Sequence, residues 1–291
     1  MQDLTLAVSG FHRRGAGVIR TVLQDWFEFL GGRPGEVVYV DGGSPVASTR
    51  ILAALVNDGL IDRLELLNPS HWENSFDRCY IQEYRSGLLA SRPFVMFIKP
   101  DMLPFRRGHD GWLREDMQQL DLPGVFSITN THLVDPPSSR RGPYLVSDFT
   151  SLNFALMKRS SFHRAMHEQI GSFIDSGFRD EYPAHIRTEP RYRRALIEWV
   201  WQQHCQERGF VSLGRAESTN WTIFHINKGG SKLLSIRRAY RERRGLEPYF
   251  DLPKGLYRPP HSSLARAGRA VEGLARGIRS RLSPRAHSKP G

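Results

Sequence analysis

Two short polar groups stand directly behind apolar runs: Asp41-Gly42-Gly43-Ser44 after Glu36-Val37-Val38-Tyr39-Val40, and Lys99-Pro100-Asp101 after Phe94-Val95-Met96-Phe97-Ile98. A carboxylate in such a place can bind a divalent cation or accept hydrogen bonds from a ligand. It is also the ordinary residue for closing a turn behind a strand. Ser9-Gly10 follows the apolar run 4–8 in the same way. Farther along, Glu198 is an isolated carboxylate within Ala195-Leu196-Ile197-Glu198-Trp199-Val200-Trp201. Burial there would raise its pKa towards that of a useful general base, whereas a plain surface Glu would pair with Arg194, four residues earlier. Asp148 and Asp180 are weaker candidates for the same task. His225 ends Trp221-Thr222-Ile223-Phe224-His225, where an imidazole can be a ligand for a metal such as Mn2+ or simply a core side chain.

The elements that must position these residues are legible in the first hundred positions. Strands are predicted over 4–8, 36–40, 63–67 and 94–98, alternating with helices over 16–30, 46–58 and 75–91, with Gly- and Pro-containing breaks between them. That alternation predicts an α/β fold, a parallel sheet flanked by helices on both faces. Ligands of such sheets sit beyond the carboxyl ends of the strands, where the polar groups just named are found. The second half is less regular. Strands are predicted at 125–129, 152–156 and 222–226 and a helix at 192–208, with a Pro-, Ser- and Arg-rich loop over 134–148.

Composition narrows the class. Apolar residues are 40% of the 291, and no window approaches the ~18–20 uninterrupted apolar residues of a membrane span. The start, Met1-Gln2-Asp3-Leu4, lacks the basic region of a secretory leader. Two widely separated cysteines, Cys79 and Cys205, exclude a disulfide scaffold and a Cys-based zinc module and suit a reducing compartment. The net charge of +11 is localised: residues 232–291 hold 15 Lys/Arg against 4 Asp/Glu, while residues 1–231 hold 26 of each.

The segment 84–104, with Tyr84-Arg85-Ser86-Gly87 leading into an apolar strand and Lys99-Pro100-Asp101, resembles the central part of GT-A glycosyltransferases of the family 2 type. In that family an Arg-Asn-x-Gly helix leads to a strand ending in Asp-x-Asp. Val40-Asp41-Gly42-Gly43-Ser44 is similar to the family's Val-Asp-Asp-Gly-Ser, and the resemblance covers roughly residues 4–230. It implies a GT-A-like, Rossmann-like, mostly parallel sheet in a catalytic domain at 1–231. It also implies transfer of a sugar from a nucleotide-sugar donor to a hydroxyl of a saccharide or lipid-linked acceptor, with inversion. By the same resemblance Ser9, Asp41, Arg85 and Lys99 line the donor site, Asp101 and His225 hold a divalent metal (Mn2+ or Mg2+), and Glu198 is the base. Two departures stand out: Lys99 replaces the first acidic residue of the metal motif, and Ser86 the usual Asn.

The extension 232–291 is expected to be partly helical or disordered. From Leu264, a helical wheel places Leu264, Ala267, Val271, Leu274, Ile278 and Leu282 on one face and Arg266, Arg269 and Arg276 opposite. That is the pattern of a basic helix on an anionic membrane surface, here through 262–285. A cytoplasmic location, peripheral on the inner face of the membrane, is the expectation. A specific nucleic-acid partner is not expected, because aromatics are missing after Tyr257. The alternatives are a non-catalytic nucleotide- or carbohydrate-binding relative and a polyanion-binding protein acting through its tail.

Overall fold

The computed structural model describes residues 1–13, 16–68, 75–108, 110–130, 139–180, 183–186, 196–215, 221–225 and 238, and only the backbone of 75–80, 222, 224 and 225. The extension 232–291, apart from residue 238, lies outside the described residues, as do Arg194 and the basic stretch 262–285.

The first half follows the alternation of apolar runs and breakers. β1 (Leu4–Gly10), β2 (Glu36–Asp41), β3 (Arg63–Leu66) and β4 (Phe94–Ile98) are joined by α1 (Ile19–Leu30), α2 (Val46–Asn57) and α3 (Ser75–Leu88). Ser9 and Gly10 belong to β1 rather than to a turn after it, because they pair with Val40 and Asp41 of β2. A turn at 99–101 leads from β4 into β5 (Met102–Arg106), and α4 (Trp112–Gln119) and β6 (Val125–Asn130) follow.

The region predicted as a loop over 134–148 contains two strands, β7 (Ser139–Arg141) and β8 (Tyr144–Ser147). β9 (Phe154–Lys158), α5 (Arg159–Asp175), α6 (Ile197–Arg208), β10 (Val211–Arg215) and β11 (Trp221–His225) complete the described chain. The nine-stranded sheet has the order β3-β2-β1-β4-β9-β6-β10-β8-β7, and β11 pairs with β5 in a separate ribbon. β9 runs against both its neighbours, β4 and β6, and β8 runs against β10, so the sheet is mostly but not wholly parallel. β9 enters from the carboxyl edge of the sheet after the buried segment 150–153, which forces its reversed direction.

Both faces are covered. One apolar core joins α1, α2 and α4 to the sheet through Val22, Trp26, Leu52, Trp112 and Phe154. The other joins α3, α5 and α6 through Tyr84, Phe97, Phe162, Met166 and Trp201. No described helix is long and apolar enough to cross a membrane.

Candidate functional site

The strand order places a topological switch between β1 and β4. From β1 the chain steps outward to β2 and β3, then crosses back to lay β4 on the other side of β1. In open sheets of this kind such a switch is where the loops diverge and ligands bind, beyond the carboxyl ends of the strands. Ser9, at the end of β1, and Lys99-Pro100-Asp101, at the end of β4, flank it, and the end of β2 adds Asp41.

Asp41 is fully buried and braces its own turn. Its Oδ2 accepts hydrogen bonds from the N–H groups of Gly43 (2.9 Å) and Ser44 (2.6 Å), and its Oδ1 accepts from Ser44 Oγ at 2.5 Å. Gly43 has φ +86°, the left-handed region that such a turn requires and that favours glycine. Ser44 Oγ in turn accepts the His12 N–H at 2.7 Å, so the loops after β1 and β2 are tied together. His12 Nε2 meets the Tyr39 hydroxyl at 2.5 Å. Burial holds the His12 pKa below its ordinary value against the pull of Asp41, and burial raises that of Tyr39. A Cβ at Gly42 would lie 2.3 Å from Gln82 Oε1, so a side chain there would push the Gln82 amide aside. Phe11 itself stays 45% exposed beside this turn.

α3 delivers polar groups to two strands at once. Gln82 faces Gly42 of the β2 turn, and its Oε1 is buried without a hydrogen-bond partner. Arg85, three residues later, makes a forked pair with Glu65 of β3, Nη2 to Oε1 at 2.7 Å and Nε to Oε2 at 3.0 Å. Glu83 points the other way and holds Lys99 Nζ at 3.2 Å. The Glu83 side chain is only 8% exposed. Burial, with a smaller contribution from Glu198, lifts its pKa to about 7 in spite of the ammonium beside it. The Lys99 pKa is raised, burial being outweighed by Glu83, Glu198 and Asp101.

Glu198 completes the cluster from the first turn of α6, where a carboxylate suits the positive end of the helix. Its Oε1 accepts the Leu152 N–H at 2.9 Å, which fixes the carboxylate against the segment leading into β9. Asp148 is engaged elsewhere, accepting from Gln202 and Gln206. β11 pairs with β5 so that His225 lies opposite Met102, the residue after Asp101. Two positions far apart in the chain are thereby brought to one corner of the fold.

Of the residues singled out from sequence, Lys99, Asp101 and Glu198 share one electrostatic cluster. Ser9 and Asp41 lie on the same edge across the switch. Arg85 lies one turn farther down α3, against β3. Sequence reading passed over Glu83, Gln82, His12 and Tyr39. Glu83 carried a signal: helical spacing puts it on the same face as Gly87 and the buried core, an unusual place for a lone carboxylate.

No family model matches the chain, and no curated protein does. Among solved structures the chain is similar to a mannosyltransferase from Pyrobaculum calidifontis in complex with GDP-mannose and Mn2+. The two share 14% identity over 95% of this chain and 80% of that one, with a TM-score of 0.46. It is also similar to TarS from S. aureus, at 10% identity over 75% of this chain and 59% of that one, TM-score 0.38. A third is glucosyl-3-phosphoglycerate synthase from Mycobacterium tuberculosis in complex with Mn2+, UDP and its product, at 13% identity over 54% and 57% of the two chains, TM-score 0.34. At this level of superposition the likeness decides nothing about the chemistry, which has to be read from the chain's own residues.

Proposed function

We propose that this chain is a GT-A-type glycosyltransferase, moving a sugar from a nucleotide-sugar donor to a hydroxyl acceptor with inversion. The observation that carries the reading is the topological switch between β1 and β4. It is flanked on one side by Ser9 and the braced Asp41 turn, and on the other by Lys99, Asp101 and the anchored Glu198. A donor lying across the switch would place its nucleoside over β1 and β2, with the exposed ring of Phe11 as an apolar surface for the base. Arg85 and Lys99 are the cations on the donor side.

Glu198 would take the proton of the acceptor hydroxyl as that oxygen bonds to the anomeric carbon. The bond from that carbon to the diphosphate breaks, and its electron pair leaves with the diphosphate. Among the described residues no three His, Cys, Asp or Glu side chains gather at metal-binding spacing. The backbone register nevertheless sets His225 opposite Met102, the residue after Asp101. A cation shared with substrate phosphates needs only one or two protein ligands. Glu83, by pairing with Lys99, offsets a positive charge that would oppose it. Asp101 and His225 would hold the cation, whose charge would stabilise the departing diphosphate.

The acceptor class, a saccharide or a lipid-linked hydroxyl, and the use of 262–285 as a contact for an anionic membrane surface are parts of the same proposal. The charge excess in 232–291 supports the latter. The test is a thermal-shift series on the full chain with UDP and GDP, each with and without Mn2+. It is followed by an assay for nucleoside diphosphate release from the corresponding nucleotide sugars. A nucleotide at 100 times its Kd adds about 2.7 kcal/mol of stability. If neither nucleotide moves the melting temperature, the donor site is misassigned. Binding without release would favour a non-catalytic relative.

A further inference from the structure

We propose that Glu83 is a positioning residue for this site, controlling Glu198 through Lys99. When ionised it keeps the Lys99 ammonium to itself and leaves Glu198 a free carboxylate. When protonated it releases Lys99 to Glu198 and silences the base. The inference rests on the reading of Glu198 as the group that takes the acceptor's proton.

Three groups from three elements meet here: Glu83 from α3, Lys99 from the end of β4 and Glu198 from the first turn of α6. Two carboxylates face one ammonium, so the cluster cannot be neutral with all three ionised. The direct contact is Glu83 to Lys99 at 3.2 Å. Glu198 is held instead by a backbone N–H at 2.9 Å, yet it acts electrostatically on both Glu83 and Lys99. The carboxylate that sits deepest, Glu83, is the one that desolvation makes reluctant to ionise, and its pKa of about 7 lies in the working range. Glu198, anchored and nearer solvent, keeps the freedom to meet a substrate.

The other charged groups nearby are committed elsewhere. Arg85 of α3 pairs with Glu65, and Asp41 of β2 closes its own turn. His163 of α5 feels Arg159 and the burial around it, and Asp148 is engaged by Gln202 and Gln206 of α6. Asp101 acts on Lys99 from the following turn. No role follows for Glu83 from packing alone, since an apolar side chain would fill the same space without burying a charge.

Two consequences follow. The acid limb of turnover belongs to Glu83. The midpoint of Glu83 must also respond in opposite directions to loss of the two neighbours: up when the ammonium is removed, down when the second carboxylate is removed.

The experiment is a carboxyl 13C NMR titration of the full chain labelled at Glu, between pH 5 and 9. The Glu83 resonance is identified by its loss in Glu83→Gln. Lys99→Met is expected to raise the Glu83 midpoint, and Glu198→Gln to lower it, each by about one pH unit or less for the more distant partner. Lys99→Arg should keep the wild-type value. Where nucleotide-sugar turnover is measurable, Glu83→Gln should lower kcat about tenfold or more and abolish its pH dependence between 6 and 8, with KM for the donor little changed. An unchanged Glu83 midpoint in Glu198→Gln overturns the proposal, and that near-isosteric variant serves even if Lys99→Met does not fold. Retention of the wild-type acid limb in Glu83→Gln overturns it as well. If the midpoints move as expected but no nucleoside diphosphate binds, the coupling stands and the transferase reading falls.

Discussion

Asp41 can be tested for what it does by removing its three hydrogen bonds together and then only its charge. In Asp41→Ala the N–H groups of Gly43 and Ser44 and the Ser44 hydroxyl all lose their acceptor at a site with no solvent exposure. Each hydrogen bond to a charged acceptor is worth about 1.5–3 kcal/mol net, but the three share one carboxylate and are not additive, so a total of about 3–4 kcal/mol is expected. Asn can turn its oxygen to the two N–H groups and donate from its amide to Ser44 Oγ, which leaves only the charge lost. Asp41→Asn should therefore cost about 1–2 kcal/mol. Urea unfolding followed by tryptophan fluorescence reads both, with the slope checked for constancy so that the midpoint reports stability alone. UDP and GDP binding is measured on the same samples, below the unfolding transition. On the brace reading, both variants weaken nucleotide binding in proportion to their loss of stability, because His12, Ser44 and the turn move together. If Asp41→Ala costs less than about 1 kcal/mol while nucleotide binding disappears, the reasoning fails and Asp41 is a direct donor ligand.

Other outcomes follow from the same structure. Glu198→Gln should cut turnover by about 10²–10⁴-fold while the nucleotide-induced rise in melting temperature persists; full activity in that variant would remove Glu198 as the base. Gly87→Ala would set a methyl within 2.6 Å of Phe97 Cζ and against Phe162, so a loss of about 1–3 kcal/mol is expected even though Ala is the better helix former. His204 lies 3.3 Å from Glu168, but burial outweighs that attraction and lowers its pKa. His12 and His163 are lowered too. A histidine depressed in the folded state takes up a proton on unfolding, so its contribution to stability is present above pH 6.5 and lost as pH falls below it. Unfolding midpoints measured between pH 8 and 5 should show that decline, and His204→Phe should flatten it. Removal of 258–291 should release the protein from anionic vesicles while nucleotide binding remains, and added salt should weaken the intact chain in the same assay.

The sheet's first four strands were readable because each is a short apolar run stopped by Gly, Pro or Asp, and the helices between them repeat every three to four residues. Local chemistry was enough for β1, β2 and β4, which are buried on both faces along nearly their whole length, whereas β3 is a partly exposed edge strand. The polar groups at their carboxyl ends could be placed on one edge for the same reason. β8 and β10 escaped prediction because Tyr144–Ser147 and Val211–Arg215 are extended by pairing with each other and with β6, not by strong β-formers in a row. α5 was also passed over, although Phe162, Ala165, Met166, Ile170 and Phe173 do follow a helical period. Its neighbours are found only once the chain is folded.

The candidate site divides along the same line. Residue type and position after a strand marked Asp41, Lys99, Asp101 and Glu198 from the sequence. What each of them holds depends on side chains distant in the chain. Lys99 reads as a lone surface cation until α3 sets Glu83 against it, 16 residues away in sequence and 3.2 Å away in space. His225 is an ordinary strand residue until β11 pairs with β5 and puts it beside the turn that carries Asp101. Charge and hydrogen bonding act over a few ångströms, and only tertiary packing sets which groups come that close.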